Sequence, residues 1–317
     1  MEVILASPLP DEFVADLRSS FPEVTFHVAG TSEEQMAHIK NADVFHGWPD
    51  REVFRAADRL RWIQNPGTGI DQVLEVPEII DSDVVLTNCL GPHTTPMADH
   101  VMWMVLTLAH EGRKMHDDQR ARRWEVDKYA GNQVELNGGT MGILALGGIG
   151  REVARRAHGF GMKVYAVDLQ PADRPPEVRE LWGLERLDEL IGMSDWFVVT
   201  APLTPDTRGL IDARRIGLMK PNSHIIVISR GDIVDEDAVA EAIQSGRIAG
   251  AGIDATAVEP LPQDSPLWGL DNVVLSPHAS ALTPEMYEGR RQIFKENLRR
   301  FLANEPFLYV ADKRAGF

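Results

Sequence analysis

The sequence predicts an α/β protein of two domains, each a doubly wound parallel sheet. A chain of 317 residues is long enough for two ordinary domains. Strand-like and helix-like segments alternate from the N-terminus to about residue 92, and the alternation restarts at Met141, a pattern typical of parallel sheets. In the second stretch six short apolar strands end at Leu146-Gly147, Asp168, Ala201-Pro202, Arg230, Asp254 and His278. Because ligands bind outside the carboxyl ends of such strands, these turns predict one shared site.

The first domain is predicted from short apolar strands that alternate with helical segments. The predicted strands are Val3-Leu5, Val24-Val28, Val44-Phe45, Trp62-Gln64 and Val84-Leu86, and the predicted helices include Asp11-Ser20 and Ser32-Lys40. A long apolar helix follows from about Thr95 to His110, and Thr94, Thr95 and Pro96 suit its cap and first turn. Residues 113–138 are polar and arginine-rich, and we expect them to be irregular. With Trp124 as an apolar anchor, they form either a dimerisation arm or a solvated loop.

The second domain is predicted from the six strands and the helical segments between them. These helical segments include Arg151-Phe160, Leu187-Ile191 and Glu236-Gln244. A final amphipathic helix from about Thr283 to Ala303 and the tail from Pro306 to Phe317 are expected to return to the first domain. The predicted domains are therefore 1–92 with 285–317, and 93–284.

Composition and charge exclude several classes of partner. With 44% hydrophobic and 25% charged residues, the chain has the composition of a globular protein, and no apolar run approaches the ~20 residues of a membrane span. The N-terminus lacks a basic leader segment, so we expect a cytoplasmic protein. A net charge of -16 argues against nucleic acid or anionic membrane as partner. The single cysteine, Cys89, allows no internal disulfide and no metal-site spacing, which predicts a buried apolar role.

A glycine-rich turn after the first strand of the second domain suits a dinucleotide pyrophosphate. The segment from Met141 to Gly150 runs from a strand through Gly147 into a helix whose N-terminal amides favour an anion. The usual fingerprint has a first glycine where this chain has Ala145, and a Cβ there resists positive φ. Glycine turns between strands and helices are also common without a ligand, so the motif alone leaves both interpretations open.

Asp168 strengthens the dinucleotide interpretation. It ends the next strand about twenty residues past the glycines, where a carboxylate can bind the ribose 2′-hydroxyl. A carboxylate there repels a 2′-phosphate, and no arginine follows at once, so NAD is preferred over NADP. The alternative is a turn or helix-capping aspartate.

Three residues on loops at the same predicted edge suit acid–base chemistry. His278 follows the last strand, and histidine is the usual proton carrier near neutral pH. Glu259 can fix the tautomer of that imidazole, and Arg230 offers a planar fork for a carboxylate. A buried structural histidine, a solvated glutamate and a surface ion pair are the alternatives for the three taken singly.

Ordered motifs over almost the whole chain resemble D-isomer-specific 2-hydroxyacid dehydrogenases. They are VVTAPLTPDTRGLI from Val198 to Ile211, SRGDIVDE from Ser229 to Glu236, Asp254 with Glu259-Pro-Leu-Pro262, Ser276-Pro-His278, Gly67-Thr-Gly-Ile-Asp71, Thr87-Asn88, Trp124, and Asn304-Glu-Pro306. The resemblance implies a flavodoxin-like substrate domain, an NAD-binding Rossmann domain and an interdomain cleft. It implies interconversion of a 2-keto acid and a D-2-hydroxy acid by hydride transfer.

The resemblance also assigns roles to residues. The implied catalytic set is Arg230, Glu259 and His278. The implied cofactor contacts are Gly147, Gly148, Ile149, Gly150, Asp168, Ala201, Pro202, Thr207, Ile228, Ser229, Arg230, Asp254, His278 and Ser280, with Asp254 expected at the nicotinamide carboxamide. Backbone amides at Thr68 and Gly69 are expected to hold the substrate carboxylate together with Arg230.

The sequence leaves the substrate, the oligomeric state and two rival functions open. Trp48 and His93 lie on loops that can line the pocket, and both can equally be packing residues. Family frequency favours a small substrate such as glyoxylate or hydroxypyruvate, and a homodimer with its arm at 113–138. Ala145, Gly148 and Val227 depart from the usual pattern without removing a group that the reaction needs. Formate or phosphite oxidation is one rival, although a glutamine would then be expected beside the histidine. A non-catalytic NAD-sensing co-regulator is another.

Overall fold

The computed structural model describes residues 1–171 and 173–317, and the chain divides into two compact units. Unit 1 comprises Met1–His93 and Thr283–Phe317, and unit 2 comprises Thr94–Leu282. Across the described parts of the chain, no helix combines the length and the apolar character needed to cross a membrane.

Strands and helices alternate along both units. The strands are β1 (Glu2–Leu5), β2 (Thr25–Val28), β3 (Val44–His46), β4 (Trp62–Gln64), β5 (Val85–Thr87), β6 (Thr140–Leu144), β7 (Lys163–Val167), β8 (Val178–Trp182), β9 (Trp196–Val199), β10 (His224–Val227), β11 (Gly250–Ile253) and β12 (Val273–Leu275). The α-helices are α1 (Asp11–Ser20), α2 (Ser32–His38), α3 (Arg51–Arg55), α4 (Asp71–Leu74), α5 (Pro77–Asp81), α6 (Thr94–Ala109), α7 (Gly112–Arg120), α8 (Gly148–Gly159), α9 (Leu187–Met193), α10 (Ala213–Ile216), α11 (Glu236–Gln244) and α12 (Pro284–Ala303).

Unit 1 is built on a five-stranded parallel sheet in the order β2-β1-β3-β4-β5, which is the flavodoxin-like order. Successive strand residues point to opposite faces, so each strand contributes to two apolar layers. Ile4 and Phe45 pack into one buried cluster, whereas Val3 and Val44 pack into the other. Phe294 of α12 covers the second layer. Both faces are therefore buried, as parallel sheets require.

Unit 2 is built on a seven-stranded parallel sheet in the order β12-β11-β10-β9-β6-β7-β8. The chain runs outward from β6 through β7 to β8 and then returns to pair β9 with the other side of β6. The strand order reverses at this point, as in a Rossmann sheet, where a crevice opens at the carboxyl ends of the two central strands. Phe197 and Val198 on β9 face opposite layers, so helices cover both faces.

The sheet of unit 2 contains a strand that the sequence pattern did not predict. We expected six strands, and β8 is the seventh. Val178 is buried, but Arg179 and Glu180 are exposed, so no apolar run marks the segment. Because β8 lies at the edge of the sheet, it can carry exposed polar residues, and a search for apolar runs does not find it.

The expectation that residues 113–138 are irregular was wrong for their first part. Helix α7 covers Gly112–Arg120, and only the residues after it form turns and bends. The helix lacks an apolar stripe and is anchored instead by Asp118, which is buried. The Asp118 carboxylate accepts hydrogen bonds from Arg123, Lys128 and Tyr129, so the turns that follow are folded back onto the helix.

Candidate active site

The carboxyl edge of the sheet in unit 2 gathers the predicted polar residues. Because the strands are parallel, the segments that follow them lie along one edge. Asp168 follows β7, Arg230 lies after β10, Asp254 follows β11, and His278 lies after β12. The predicted residues of this unit are therefore neighbours along one edge, although they are spread over more than a hundred positions of the sequence.

His278 and Glu259 form a hydrogen-bonded pair at this edge. The imidazole Nδ1 lies 3.0 Å from Oε1 and 2.9 Å from Oε2 of Glu259. An ionised carboxylate only accepts hydrogen bonds, so Nδ1 carries the proton and Nε2 is left for other partners. The side chains of His278 and Glu259 are 42% and 39% exposed, so both are accessible to a ligand. This arrangement suits an imidazole that moves a proton at Nε2 while its tautomer is held.

A second carboxylate shapes the loop that carries His278. Asp254 accepts hydrogen bonds from the Ser276 hydroxyl at 2.5 Å and from the amides of Ala279 at 2.9 Å and Ser280 at 3.2 Å. The amide of His278 donates to the Asp254 carbonyl at 2.8 Å. The Asp254 side chain is fully buried. In this structure it therefore holds the loop in place, and its contact with a nicotinamide stays a prediction.

His100 belongs to the same network and was missed by the sequence pattern. Its Nε2 lies 2.8 Å from the Ser276 hydroxyl and 3.8 Å from Oδ1 of Asp254. Burial lowers its pKa, although the charge of Asp254 opposes the shift. His100 lies within the apolar helix α6, where a single histidine gives no signal of its partner at the far end of β12.

Arg230 lies on a segment that packs tightly against the loop carrying Glu259. Its Nη1 donates to the Ser229 carbonyl at 2.9 Å. A Cβ on the next residue, Gly231, would lie 2.1 Å from the amide nitrogen of Ala257, so only glycine allows this approach. Glu236 accepts from that same amide at 2.6 Å, and burial raises its pKa. These contacts fix the spacing between the loops that carry the guanidinium and the carboxylate.

The turn after β6 has the form expected for a pyrophosphate site. Gly147 caps helix α8, and no atom lies within 4 Å of the place where its Cβ would be. The first amides of a helix lack intrahelical acceptors, so those of Gly148 and Ile149 are suited to an anion. A Cβ on Gly150 would lie 2.3 Å from the Ala145 carbonyl oxygen. Ala145 has a φ of 73°, so this chain keeps the left-handed turn without the usual glycine.

Asp168 is bound into the same turn. Its Oδ2 accepts from the Leu146 amide at 2.7 Å, and its Oδ1 accepts from the Gln170 amide at 3.0 Å. Arg151, which we had not predicted here, donates from Nε to the Leu146 carbonyl at 3.1 Å and from Nη2 to the Asp173 carbonyl at 2.7 Å. A carboxylate and a guanidinium therefore bind the backbone amide and carbonyl of one residue, Leu146, and both lie where the ribose end of a dinucleotide is expected.

The remaining predicted cofactor contacts differ in accessibility. Thr207 bonds the Pro202 carbonyl at 2.7 Å and so closes the turn after Ala201. Ile228 is fully buried in the core. The Ser229 hydroxyl is buried and has no hydrogen-bond partner among the described residues. An unsatisfied buried hydroxyl at the carboxyl end of β10 is a group that a bound cofactor can satisfy.

In unit 1 the Thr68–Gly69 turn is held by two asparagines, of which the sequence motifs included Asn88 without this role and did not include Asn65. Asn65 donates to the Gly69 carbonyl at 2.7 Å and accepts from the Gly67 amide at 3.1 Å, and Asn88 donates to the Thr68 carbonyl at 3.0 Å. The amides of Thr68 and Gly69 donate to no other described group. Two free N–H groups in a fixed turn suit a carboxylate.

The other candidates have distinct environments. Trp48 is 40% exposed, whereas His93 is buried and bonded on both ring nitrogens. Cys89 is buried, and burial raises its pKa to about 12, which leaves it unreactive as a nucleophile. Trp124 is 93% exposed.

Sequence comparisons identify relatives of the chain. A family model described as "D-isomer specific 2-hydroxyacid dehydrogenase, NAD binding domain" matches residues 102–280. The chain is 32% identical over 312 residues to a D-3-phosphoglycerate dehydrogenase of Methanocaldococcus jannaschii, covering 96% of this chain and 58% of that protein. It is 37% identical over 265 residues to a glyoxylate reductase of Thermococcus onnurineus, covering 81% of this chain and 77% of that protein. The chain thus spans little more than half of the first relative.

Solved structures share the whole fold. A D-isomer specific 2-hydroxyacid dehydrogenase from Xanthobacter autotrophicus, in complex with NADPH and MES, superposes with a TM-score of 0.85 at 29% identity, covering 100% of this chain and 99% of the other. An NADPH-dependent glyoxylate/hydroxypyruvate reductase from Sinorhizobium meliloti, in complex with NADP and sulfate, gives 0.84 at 26% identity, with the same coverage.

Proposed function

Because the chain belongs to the D-isomer specific 2-hydroxyacid dehydrogenase family, we propose that it interconverts a 2-keto acid and a D-2-hydroxy acid with a nicotinamide dinucleotide. One observation carries the proposal, namely the His278 imidazole held through Nδ1 at 2.9 Å by Glu259 at the predicted cofactor edge. A formate-type reaction is disfavoured because the partner of the histidine is a carboxylate and not an amide. A bound reduced nicotinamide supplies the hydride equivalent for the carbonyl carbon.

In the proposed reduction, His278 donates a proton from Nε2 to the oxygen of the carbonyl group that becomes the hydroxyl. Glu259 stabilises the imidazolium before transfer and keeps the proton of Nδ1 in place afterwards. Arg230 binds the substrate carboxylate and polarises the carbonyl, which lowers the energy of the developing negative charge. The amides of Thr68 and Gly69 take part in holding the carboxylate. Oxidation of the hydroxy acid is the reverse, with Nε2 as the base.

We propose NAD as the preferred cofactor, bound by the α8 amides, Asp168 and the Ser229 hydroxyl. Three local features fit the group: the open space at Gly147, the free helix amides and the unsatisfied hydroxyl. Asp168 disfavours a 2′-phosphate, but Arg151 beside it can offset that repulsion, so the preference is one of degree. The ratio of kcat/KM for NADH to that for NADPH measures it. We expect the ratio to fall in Asp168→Asn and to rise in Arg151→Gln.

The experiment that tests the reaction is consumption of NADH with a panel of 2-keto acids, run with His278→Asn and a matched control, His158→Asn. His158 is exposed on α8 and has no proposed role. Removing a general acid costs about 10²–10⁴ in kcat, so we expect a loss of that size in His278→Asn, with NADH binding retained, and none in His158→Asn. A folded wild-type protein that binds NADH and turns over no 2-keto acid would support the NAD-sensing alternative instead.

We further propose that the protein is a homodimer whose arm lies at 113–138. Trp124 supports this proposal, because it is 93% exposed and its large ring would bury much apolar area at an interface. Sedimentation of the wild type and of Trp124→Ser tests it, with a shift toward monomer expected in the variant. A wild type that sediments as a monomer would contradict it.

A further inference from the structure

A guanidinium in unit 1 is held by an imidazole instead of a carboxylate. Arg290, on α12, donates to Nε2 of His93 from Nε at 3.1 Å and from Nη2 at 2.7 Å. Since a guanidinium can only donate, Nε2 must accept, and the single imidazole proton is on Nδ1. That proton is donated to the Cys89 carbonyl at 2.7 Å. Burial lowers the pKa of His93 to about 4, so the ring is neutral and does not balance the charge of Arg290.

The positive charge of Arg290 has no counter-ion within the described residues. No carboxylate oxygen there lies within 4.0 Å of its guanidinium, although the chain carries a net charge of -16. The adjacent Arg291 shows the usual arrangement, with Nη2 at 2.7 Å from Glu288. Arg290 is partly buried, and burial lowers its pKa. The guanidinium also lies over the Tyr287 ring, 5.7 Å from its centroid, which orients it without neutralising it. A partly buried guanidinium without a carboxylate partner is suited to a ligand that brings the negative charge.

The pair is attached to the turn that we propose holds the substrate carboxylate. The Cys89 carbonyl that accepts from His93 also lies 3.5 Å from the Thr68 hydroxyl. The Cys89 amide donates to the Gly67 carbonyl at 2.9 Å. Only one peptide carbonyl and one imidazole therefore separate the free amides of the turn from the guanidinium. The turn and Arg290 therefore belong to one continuous chain of contacts within unit 1.

We infer that Arg290, held by His93, binds a second anionic group of the substrate, so that the enzyme prefers 2-keto acids with an additional carboxylate or phosphate. This inference rests on the proposed function for the reaction and narrows its substrate class. The shared chemistry is an oxyanion that accepts N–H bonds from Nη1 and from the second hydrogen of Nη2, because Nε and the first hydrogen of Nη2 donate to His93. His93 acts as a positioning residue, because its neutral ring orients the fork without neutralising it.

The test compares two pairs of substrates that differ only in the second acidic group. Pyruvate and oxaloacetate differ by a carboxylate, and hydroxypyruvate and its 3-phosphate differ by a phosphate. A hydrogen bond to a charged group contributes about 1.5–3 kcal/mol, which corresponds to about ten- to hundredfold. For the preferred pair, we compare kcat/KM for the substrate with the second acidic group with kcat/KM for the substrate without it. In Arg290→Gln we expect this ratio to fall by about that factor, because KM for the substrate with the second group rises. Arg290→Lys keeps the charge without the fork, and we expect it to recover part of the ratio.

Arg291→Gln is the matched control, because it removes a neighbouring arginine that already has a carboxylate partner. We expect its substrate ratios to equal those of the wild type. The pair with the larger wild-type ratio identifies the carboxylate or the phosphate as the natural group. If the wild type shows no preference within either pair, or if Arg290→Gln leaves the ratios unchanged, the inference is overturned while the proposed reaction stands.

A binding experiment separates this inference from the proposed reaction. Inorganic phosphate is titrated into the wild type and the two Arg290 variants without cofactor, and the thermal midpoint is followed. We expect phosphate to raise the midpoint of the wild type, to raise it less in Arg290→Lys and least in Arg290→Gln. Such a result without turnover of any 2-keto acid would retain the anion site and reject the reaction. Equal effects in all three proteins would reject Arg290 as the anion-binding residue.

Discussion

Units 1 and 2 both present a polar edge, but they assemble it in different ways. In unit 2, Asp168 and Asp254 directly follow β7 and β11, so a local strand–turn pattern predicts them. In unit 1, two asparagines clamp the Thr68–Gly69 turn, and His93 meets Arg290 from 197 positions away. The residues proposed for cofactor chemistry are therefore encoded in short segments of this chain. The groups that we propose for substrate selection come together only through the fold.

The two units also differ in whether they present an accessible histidine that is proposed to react. His278 of unit 2 is accessible and paired with a carboxylate, so it can carry charge. His46 and His93 of unit 1 are buried, and burial together with the charge of Arg290 lowers the pKa of each to about 4. Unit 1 therefore buries His46 and His93 as neutral rings. Unit 2 buries His224 in the same way but also presents His278 for reaction.

The largest predicted effect is a loss of stability in acid caused by the buried histidines. If protonation of His46 costs no stability, the description of unit 1 as containing buried neutral histidines is wrong. The pKa of His46 falls from 6.5 to about 4 on folding, so the unfolded chain binds more protons between these values. The stabilisation is complete above pH 6.5 and is lost as the pH falls toward 4, by about 3 kcal/mol for each such histidine. In His46→Leu we expect the pH dependence of the free energy of unfolding to shrink by about that amount.

Urea unfolding near neutral pH and at about pH 4.5 measures this dependence. His158→Leu, an exposed position in unit 2, is the control and should retain the wild-type dependence. His224→Leu adds the comparison between units, because burial lowers the pKa of His224 to about 4 as well. If His46→Leu lost as much stability between these pH values as the wild type does, His46 would not be the group that resists protonation.

The sequence predicted the elements of both units more completely than it predicted their contacts. The expected bounds of α1 and α11 agree with the structure, because a 3.6-residue apolar period marks both helices locally and Asp235 caps α11. Helix α7 was missed because a buried carboxylate, and no apolar stripe, anchors it. The pairing of Arg290 with His93 and of His100 with Ser276 could not be predicted either, since nothing near one partner in the sequence specifies the other.

The second prediction tests whether the edge of unit 2 depends on a local turn. In Gly150→Ala the new Cβ would lie 2.3 Å from the Ala145 carbonyl oxygen, so backbone must move. Overpacking of this kind costs about 1–3 kcal/mol, and we expect a similar loss in stability and a fall in NADH affinity of about ten- to hundredfold. Unfolding without cofactor and NADH fluorescence titration measure the two effects. Gly147→Ala, which meets no atom within 4 Å, should retain the stability of the cofactor-free protein.

The third prediction tests whether the proposed substrate turn of unit 1 depends on Asn65. Asn65→Ala removes the hydrogen bonds to the Gly67 amide and the Gly69 carbonyl, and Asn65 is fully buried. We expect a loss of about 1–3 kcal/mol in stability and an increase in KM for the 2-keto acid, with the affinity for NADH unchanged. Asn41→Ala, at an exposed position of the same unit, is the control. If NADH affinity fell in parallel with substrate affinity, the division of roles between the units would be wrong.

The smallest predicted effect concerns Ala145, where unit 2 departs from its own motif. A φ of 73° costs an L-residue roughly 1–2 kcal/mol, and glycine avoids that cost but loses about 0.4–1 kcal/mol through the entropy of the unfolded chain. Ala145→Gly should therefore stabilise the protein by up to about 1.6 kcal/mol, measured as a rise in the thermal midpoint. The same substitution at Ala157, inside α8, should lower stability by about 1 kcal/mol, because glycine weakens a helix interior. If Ala145→Gly lowered stability as well, the Asp168 and Arg151 bonds to Leu146 would hold the turn without strain at Ala145. The turn of unit 2 would then depend on non-local contacts, as the turn of unit 1 does.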